Sequence, residues 1–211
     1  MARELSAKCK QCRRAAQKLY LKGDRCNSSK CAIVKRNYIP GIHGPKQGKG
    51  ARLTDYGIQL REKQRAKKSY RLMEKQFRSY FDKAINQQGE TGENFFKLLE
   101  FRFDNAVYRA GLVASKNLAR QAVTHGHFAI NGKKVNIPSY QLKLKDKITI
   151  SAKGKKSKIF EGLEEKLPTV EVPNWLNVDV KDLSATVVGV PSLLETPPSF
   201  DLKAIIEYYS K

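Results

Sequence analysis

The sequence predicts an α+β chain: an N-terminal zinc-knuckle and helical domain, followed by an α/β domain. Three observations predict it. All four cysteines lie within the first 31 residues, in a segment too polar to bury much apolar surface. From Thr54 to Gly126, apolar side chains recur at the three- and four-residue spacing of helices. From Phe128 onward, short β-branched runs are separated by turn residues. The first domain is drawn at residues 1–98 and the second at 99–195, leaving 196–211 for a closing helix expected to pack on the first domain.

Residues 1–53 are rich in Cys, Lys, Arg, Gly and Pro and show no sustained apolar period. A first helix follows Thr54, with Asp55 in its first turn and Tyr56 and Leu60 four apart. A second is expected from Tyr70, Met73, Phe77, Tyr80 or Phe81, and Ala84, ended by Gln88-Gly89. Phe95, Leu98 and Leu99 continue a short helix after Thr91, and Phe103, Val107 and Leu112 suggest another before or across Gly111. Ser115 is a good N-cap for a helix that gathers Leu118, Ala119, Ala122 and Val123 on one face and closes at Gly126. Phe128 and Ile130, then Asn131-Gly132, then Val135 and Ile137 read as a tight hairpin. Strand signals recur at 147–151, 178–180 and 185–190. After a Pro-rich linker, Leu202, Ile205, Ile206 and Tyr209 form the last amphipathic helix.

Charge narrows the class of partner. Forty-one Lys and Arg oppose twenty Asp and Glu, a formal +21. Such an excess opposes compaction unless an anionic partner offsets it. The charge is also segregated. Residues 1–78 hold 22 basic against 5 acidic residues, and 101–160 hold 13 against 2, whereas 161–211 hold 4 against 9. Two basic surfaces for nucleic acid fit this pattern, with the acidic tail facing inward or toward a protein neighbour. No run approaches the roughly 18 apolar residues of a membrane span. The N-terminus lacks the apolar run of a signal peptide, so a cytosolic chain with reduced thiols is expected.

Cys9-x2-Cys12 and Cys26-x4-Cys31 are two close thiol pairs, as a tetrahedral all-sulfur structural zinc site requires. Lys10, Arg13, Arg14 and Lys30 favour thiolates and offset the charge of a zinc–tetrathiolate centre. The alternatives are an iron–sulfur cluster, idle thiols, or disulfides, the last a poor fit to a cytosolic chain. Four ligands leave no open position for water, so one structural Zn2+ and no hydrolytic chemistry is expected.

In the second basic block, the helix after Ser115 carries Lys116, Arg120 and Gln121; its C-terminal turn brings His125 and His127, and the hairpin adds Asn131, Lys133 and Lys134. Cationic and amide side chains at one end of a motif suit phosphate and ribose contacts. Turn stabilisation is the alternative for the histidines, and Arg102, Asp104 and Arg109 are also suited to a buried ion network. In the first block, Arg13, Arg14, Lys18, Lys35, Arg36, Tyr38 and His43 are candidate RNA ligands. So is the stripe Arg61, Lys63, Arg65, Lys67, Lys68 and Arg71, for which a solvated helix face is the alternative. The glycine-rich path 41–50 would let backbone approach phosphate closely.

The continuous segment from Arg102 to Tyr140 resembles the RNA-binding module named after small-subunit ribosomal protein S4. Tyr38-Ile-Pro-Gly-Ile-His-Gly44, Leu53 to Gln64, Leu72 to Phe81 and Thr91-Gly-Glu-Asn94 look like further segments of the same ribosomal family, in the same order. The cysteines agree with its zinc-bearing branch; Ile39, Ile42 and Lys116 depart from its commoner Pro, Gln and Arg. The resemblance places the module at about 101–165 and adds Arg109, Ser115 and Tyr140 to the RNA-facing set. It implies a bacterial-type or organellar structural protein of the small ribosomal subunit, a monomer within the ribosome. Such a protein binds the 5′ domain of small-subunit ribosomal RNA early in assembly. It also lines the entrance path of messenger RNA and meets ribosomal protein S5 in an interface tied to decoding accuracy; the loop cations Lys46, Lys49 and Arg52 are candidates for messenger proximity, with contact to ribosomal RNA the alternative. No membrane and no small-molecule substrate is implied. The rival readings are an RNA-modifying enzyme that uses the module for targeting and a free RNA chaperone or translational regulator. The first lacks a catalytic domain, for which roughly 100 residues are normally needed.

Overall fold

The computed structural model describes residues 4, 6–42, 44 and 53–210. The chain divides into two compact units, residues 1–92 with 198–211 and residues 93–197.

The first unit begins with three short helices, α1 (Lys8–Ala15), α2 (Asp24–Asn27) and α3 (Ala32–Lys35). Their small core is Cys12, Ala15, Leu19 and Leu21, with Ile33 packed against it. Then come α4 (Asp55–Ser69) and α5 (Glu74–Ile85), joined through a turn in which Arg71 takes a φ of 59°. The second helix therefore starts at Glu74 rather than Tyr70; Tyr70 instead caps α4. Thr54 caps α4 at its other end, accepting from the Gly57 amide.

The face that α4 buries differs from the sequence reading. Tyr56 is exposed, and the buried side chains are Gln59, Glu62, Lys63, Ala66 and Ser69. These polar residues are covered by α11 (Leu202–Tyr209), the closing helix. Gln59 donates to Glu207 at 2.9 Å, and Glu62 accepts from the Asp201 amide at 3.1 Å. Burial is tolerated because each polar group finds a partner.

In the second unit, α6 (Thr91–Glu100) leads to α7 (Phe103–Arg109), which stops before Gly111, where φ is 74°. Helix α8 (Lys116–Thr124) opens on Ser115, whose hydroxyl accepts from the Leu118 amide, and closes before Gly126 at φ 72°. Strands β1 (Phe128–Ile130), β2 (Lys133–Lys134), β3 (Lys147–Ile150), β4 (Leu176–Asp179) and β5 (Ser184–Val187) form one antiparallel sheet in the order β2-β1-β3-β5-β4. Asn131 and Gly132 both have positive φ, 49° and 78°, as a type I′ hairpin turn requires. Strand β2 is shorter than expected, ending before Val135. The last strand ends at Val187, since the Val188 and Gly189 amides turn to the Trp175 carbonyl.

Between β3 and β4 the chain forms α9 (Ala152–Lys155), α10 (Leu163–Lys166) and two 3-10 turns, none of which the sequence pattern announced. Helices α7 and α8 and the sheet enclose a single core centred on Phe103, Val107, Leu112, Phe128, Ile148, Trp175 and Ala185. Among the described residues, no helix is long and apolar enough to cross a membrane.

Candidate nucleic-acid interface

Cys9, Cys12, Cys26 and Cys31 all line one apolar cavity of about 20 Å3 and form no disulfide. The Lys22 amide donates to the Cys26 sulfur at 3.4 Å. Burial pushes the Cys12 thiol up, against a hydrogen bond from the Leu19 backbone and with added repulsion from the other three cysteines. Among the described residues, no group of three or more His, Cys, Asp or Glu is already set at metal-binding geometry.

Around this core, the first unit displays its cations. The Arg13 guanidinium lies 4.5 Å above the Tyr38 ring, and its Nε donates to the Tyr38 carbonyl at 2.9 Å. Lys18 is half-buried; Lys35 and Arg36 are exposed. A cleft of about 590 Å3 is lined by Arg14, Arg61, Arg65 and Lys68 together with Ile39 and Leu60. Burial lowers the Lys68 amine from the usual lysine value, and Arg14 and Lys67 lower it further against the pull of Glu4. Four cations thus line one groove.

Other members of the predicted stripe turn inward. Lys63 and Lys67 both donate to Glu74 at 2.7 Å, and Lys63 lies 4.4 Å over the Tyr208 ring. Arg65 pairs with Glu62 at 2.7 Å and also donates to the Ala15 carbonyl, so it reaches the cleft already anchored. Arg71 is buried and donates to the Glu4 carbonyl at 3.0 Å. Its place is in the fold rather than on the RNA-facing surface. His43, Lys46, Lys49 and Arg52 lie outside the described residues.

In the second unit, Arg120, expected to face RNA, also turns inward. It is 6 % exposed, and its Nη1 donates to Asp104 at 3.1 Å, beside the fully buried Arg102, whose Nη2 reaches the same oxygen at 2.8 Å. Arg109 grips Glu100 through Nε and Nη2, at 2.9 and 3.0 Å, while Asn105 donates to the same carboxylate. Ser115 is buried as the α8 cap, and the Tyr140 carbonyl accepts from the Phe103 amide. Asn131 spends its amide on the Asp146 carboxylate at 2.8 Å and its side-chain oxygen on the Lys147 amide at 2.9 Å. These residues shape the face.

The exposed members of that face are Gln121, His125, Asn131, Lys133 and Lys134. Half-buried Lys116 stands 5.6 Å from the Tyr108 ring; burial and the Arg109 charge pull its amine down to about 8. His127 is nearly buried, against Phe160. The sequence reading missed Lys153, on α9, whose Nζ comes within 3.5 Å of the His125 carbonyl. Its one signal was the lysine density of 153–158, which carries no helix or strand period.

The family model for the ribosomal protein S4/S9 N-terminal domain matches residues 3–100, and that for the S4 domain matches residues 101–148. The chain belongs to the ribosomal protein S4 family. Among curated relatives, it is 50 % identical over 211 residues to small ribosomal subunit protein uS4A of Alkaliphilus oremlandii, covering 100 % of both chains. It is 49 % identical, with the same full coverage, to small ribosomal subunit protein uS4 of Clostridioides difficile. The S4 domain match opens at the α6–α7 junction, beside the Arg102–Asp104 pair, and closes inside β3. Strands β4 and β5, which complete the sheet, thus lie beyond the S4 domain itself.

Proposed function

We propose that this chain is a structural constituent of the small ribosomal subunit that binds small-subunit ribosomal RNA, works in the cytoplasm as part of the ribosome, and catalyses nothing. The observation that carries the reading is the end-to-end match to ribosomal relatives. The cations around the α4 cleft and those on the α8–hairpin face give it a physical basis. Phosphate contacts of this kind supply affinity, and amide or ring contacts between them orient the RNA.

The finer reading is that the RNA site is a helical junction in the 5′ domain, bound early in assembly. A protein that prefers one junction arrangement stabilises it by its differential affinity, and later proteins bind that arrangement better. Proximity to incoming messenger RNA, through Lys46, Lys49 and Arg52, and an interface with ribosomal protein S5 that influences accuracy belong to the same reading.

One zinc ion held by Cys9, Cys12, Cys26 and Cys31 completes it. Four unoxidised sulfurs around one small cavity, with the Lys22 amide directed at one of them, fit a tetrathiolate centre. Such an ion would fasten the three short helices, whose own apolar core is small. The test is binding of the purified chain to a 5′-domain transcript against transfer RNA competitor at several salt concentrations. Tight binding that resists the competitor is expected. Weak, unselective binding that salt abolishes would reduce the reading to general attraction for polyanions.

A further inference from the structure

The hairpin tip carries a residue pair whose own chemistry the fold keeps in check. In an asparagine–glycine sequence such as Asn131-Gly132, the glycine nitrogen readily attacks the preceding side chain, because no Cβ hinders its approach. Here the nucleophile is open. The Gly132 amide makes no hydrogen bond to the described residues, and no atom of a non-adjacent residue lies within 4 Å of where a Cβ would stand. Asn131 is exposed, so water reaches the site.

The electrophile is held. Asn131 Nδ2 donates to Asp146 Oδ1 at 2.8 Å, and Asn131 Oδ1 accepts from the Lys147 amide at 2.9 Å. The Asn131 amide donates in turn to the Lys147 carbonyl at 2.9 Å. Asp146 is itself 8 % exposed and anchored: its Oδ2 accepts from the Lys143 amide at 2.8 Å and its carbonyl from the Val187 amide at 3.0 Å. Turning the Asn131 side chain toward the Gly132 nitrogen breaks both side-chain bonds, one of them to a carboxylate.

We propose that Asn131 is a deamidation site, which the Asp146–Lys147 clasp holds shut in the folded chain and which opens when the hairpin tip comes away from β3. The Gly132 nitrogen then attacks Asn131 Cγ and loses its proton to water. The Cγ–Nδ2 bond breaks, Nδ2 leaves as ammonia, and a succinimide closes. Water opens that ring at either carbonyl, leaving aspartate or isoaspartate at position 131. The change is one-way, and the fold registers it. An aspartate carboxylate would stand where Nδ2 now meets Asp146, setting two negative charges at hydrogen-bond distance. Isoaspartate instead adds a carbon to the backbone of a two-residue turn whose flanking Ile130 and Lys133 are paired. Either product puts a negative charge beside Lys133 and Lys134, so a chain long open refolds with a weaker hairpin and a less cationic face. The effect on RNA rests on the ribosomal RNA reading; the chemistry of the clasp does not.

The test is to incubate the full chain at neutral pH, folded or in guanidinium chloride, and follow the peptide containing Asn131 by mass spectrometry and isoaspartate detection. Conversion confined to the denatured chain is expected. Asp146→Ala should convert at least about tenfold faster than the parent under native conditions, because one charge-assisted hydrogen bond is gone. If that variant does not fold, Asn131→Asp should still melt below the parent. Combining Asn131→Asp with Asp146→Asn restores an amide facing a carboxylate and should recover most of that loss. Equal conversion in folded and denatured parent, a folded Asp146→Ala as slow as the parent, an Asn131→Asp as stable as the parent, or no recovery in the double variant would overturn the clasp. Specific binding to a 5′-domain transcript that Asn131→Asp leaves unchanged would overturn the consequence for RNA. Absence of specific binding by the parent would overturn the ribosomal RNA reading and leave the clasp standing.

Discussion

The Tyr209 hydroxyl donates to Glu74 at 2.8 Å, across 135 positions of sequence. Glu74 also receives Lys63 and Lys67, so α4, α5 and α11 meet at one carboxylate. Burial alone would raise its pKa, but the two ammonium groups and the phenol together hold it at about 2. Burial, and then the Glu74 carboxylate, push the Tyr209 phenol upward in return.

That carboxylate makes the first unit acid-sensitive in a defined window. Its folded value lies below the roughly 4.3 of an unfolded glutamate. The stability it contributes is present above about pH 4.3 and is lost as pH falls toward 2. Urea melts at pH 7, 4.5 and 3 should show a steeper acid loss in the parent chain than in Glu74→Gln. Tyr209→Phe removes one hydrogen bond and should cost about 1 kcal/mol at neutral pH.

Asp104 is predicted to be the most sensitive polar position in the second unit. Asp104→Asn leaves the guanidiniums of Arg102 and Arg120 without their shared countercharge in a buried setting. A loss of about 3–5 kcal/mol is expected, read by denaturant unfolding. Arg120→Ala should lose RNA binding only as far as it loses fold, so a folded Arg120→Ala with greatly weakened binding would return that side chain to the RNA-contacting set.

Cation substitutions in the first unit should separate into two kinds. Arg61→Ala, at the exposed rim of the α4 cleft, should weaken RNA binding similarly across sequences and reduce the salt slope by about 0.9. Lys63→Ala should instead lower the melting temperature, because it strips a buried partner from Glu74. Equal effects of the two on the salt slope would contradict this division.

The cysteine cavity gives a prediction in metal content. Zinc should be recovered at about one ion per chain, and Cys12→Ser or Cys26→Ser should remove it. Chelation should unravel α1 to α3 in hydrogen exchange while the sheet of the second unit stays protected. Metal-free protein with the same protection would mean that the small apolar core suffices.

Local signals were the legible ones. Ser115 as a cap, Gly126 as a stop and Asn131-Gly132 as a turn each depend on a few consecutive residues, and each is found where the sequence puts it. What escaped depends on distant partners. Lys63 reads as part of an RNA-facing stripe because Glu74, which takes its ammonium, lies 11 positions away, and Glu62 is held by the Asp201 amide 139 positions away. Arg120 reads as a surface cation until Asp104, 16 positions upstream, is folded against it. The four-residue helices α9 and α10 are too short to show a period at all. For the candidate RNA face, charge density marked basic regions but did not distinguish a cation facing outward from one holding the scaffold.

The first unit is discontinuous in sequence: its final helix, α11, is separated from α4 by the whole of residues 93–197. Synthesis runs in one direction, and domains tend to fold as they emerge. Gln59, Glu62 and Lys63 are therefore translated well before the helix that shields them. For that interval the nascent first unit presents unshielded basic and amide side chains, while the intervening unit already has every residue it needs. Folding order is thus the reverse of reading order: the segment made second is the first that can finish.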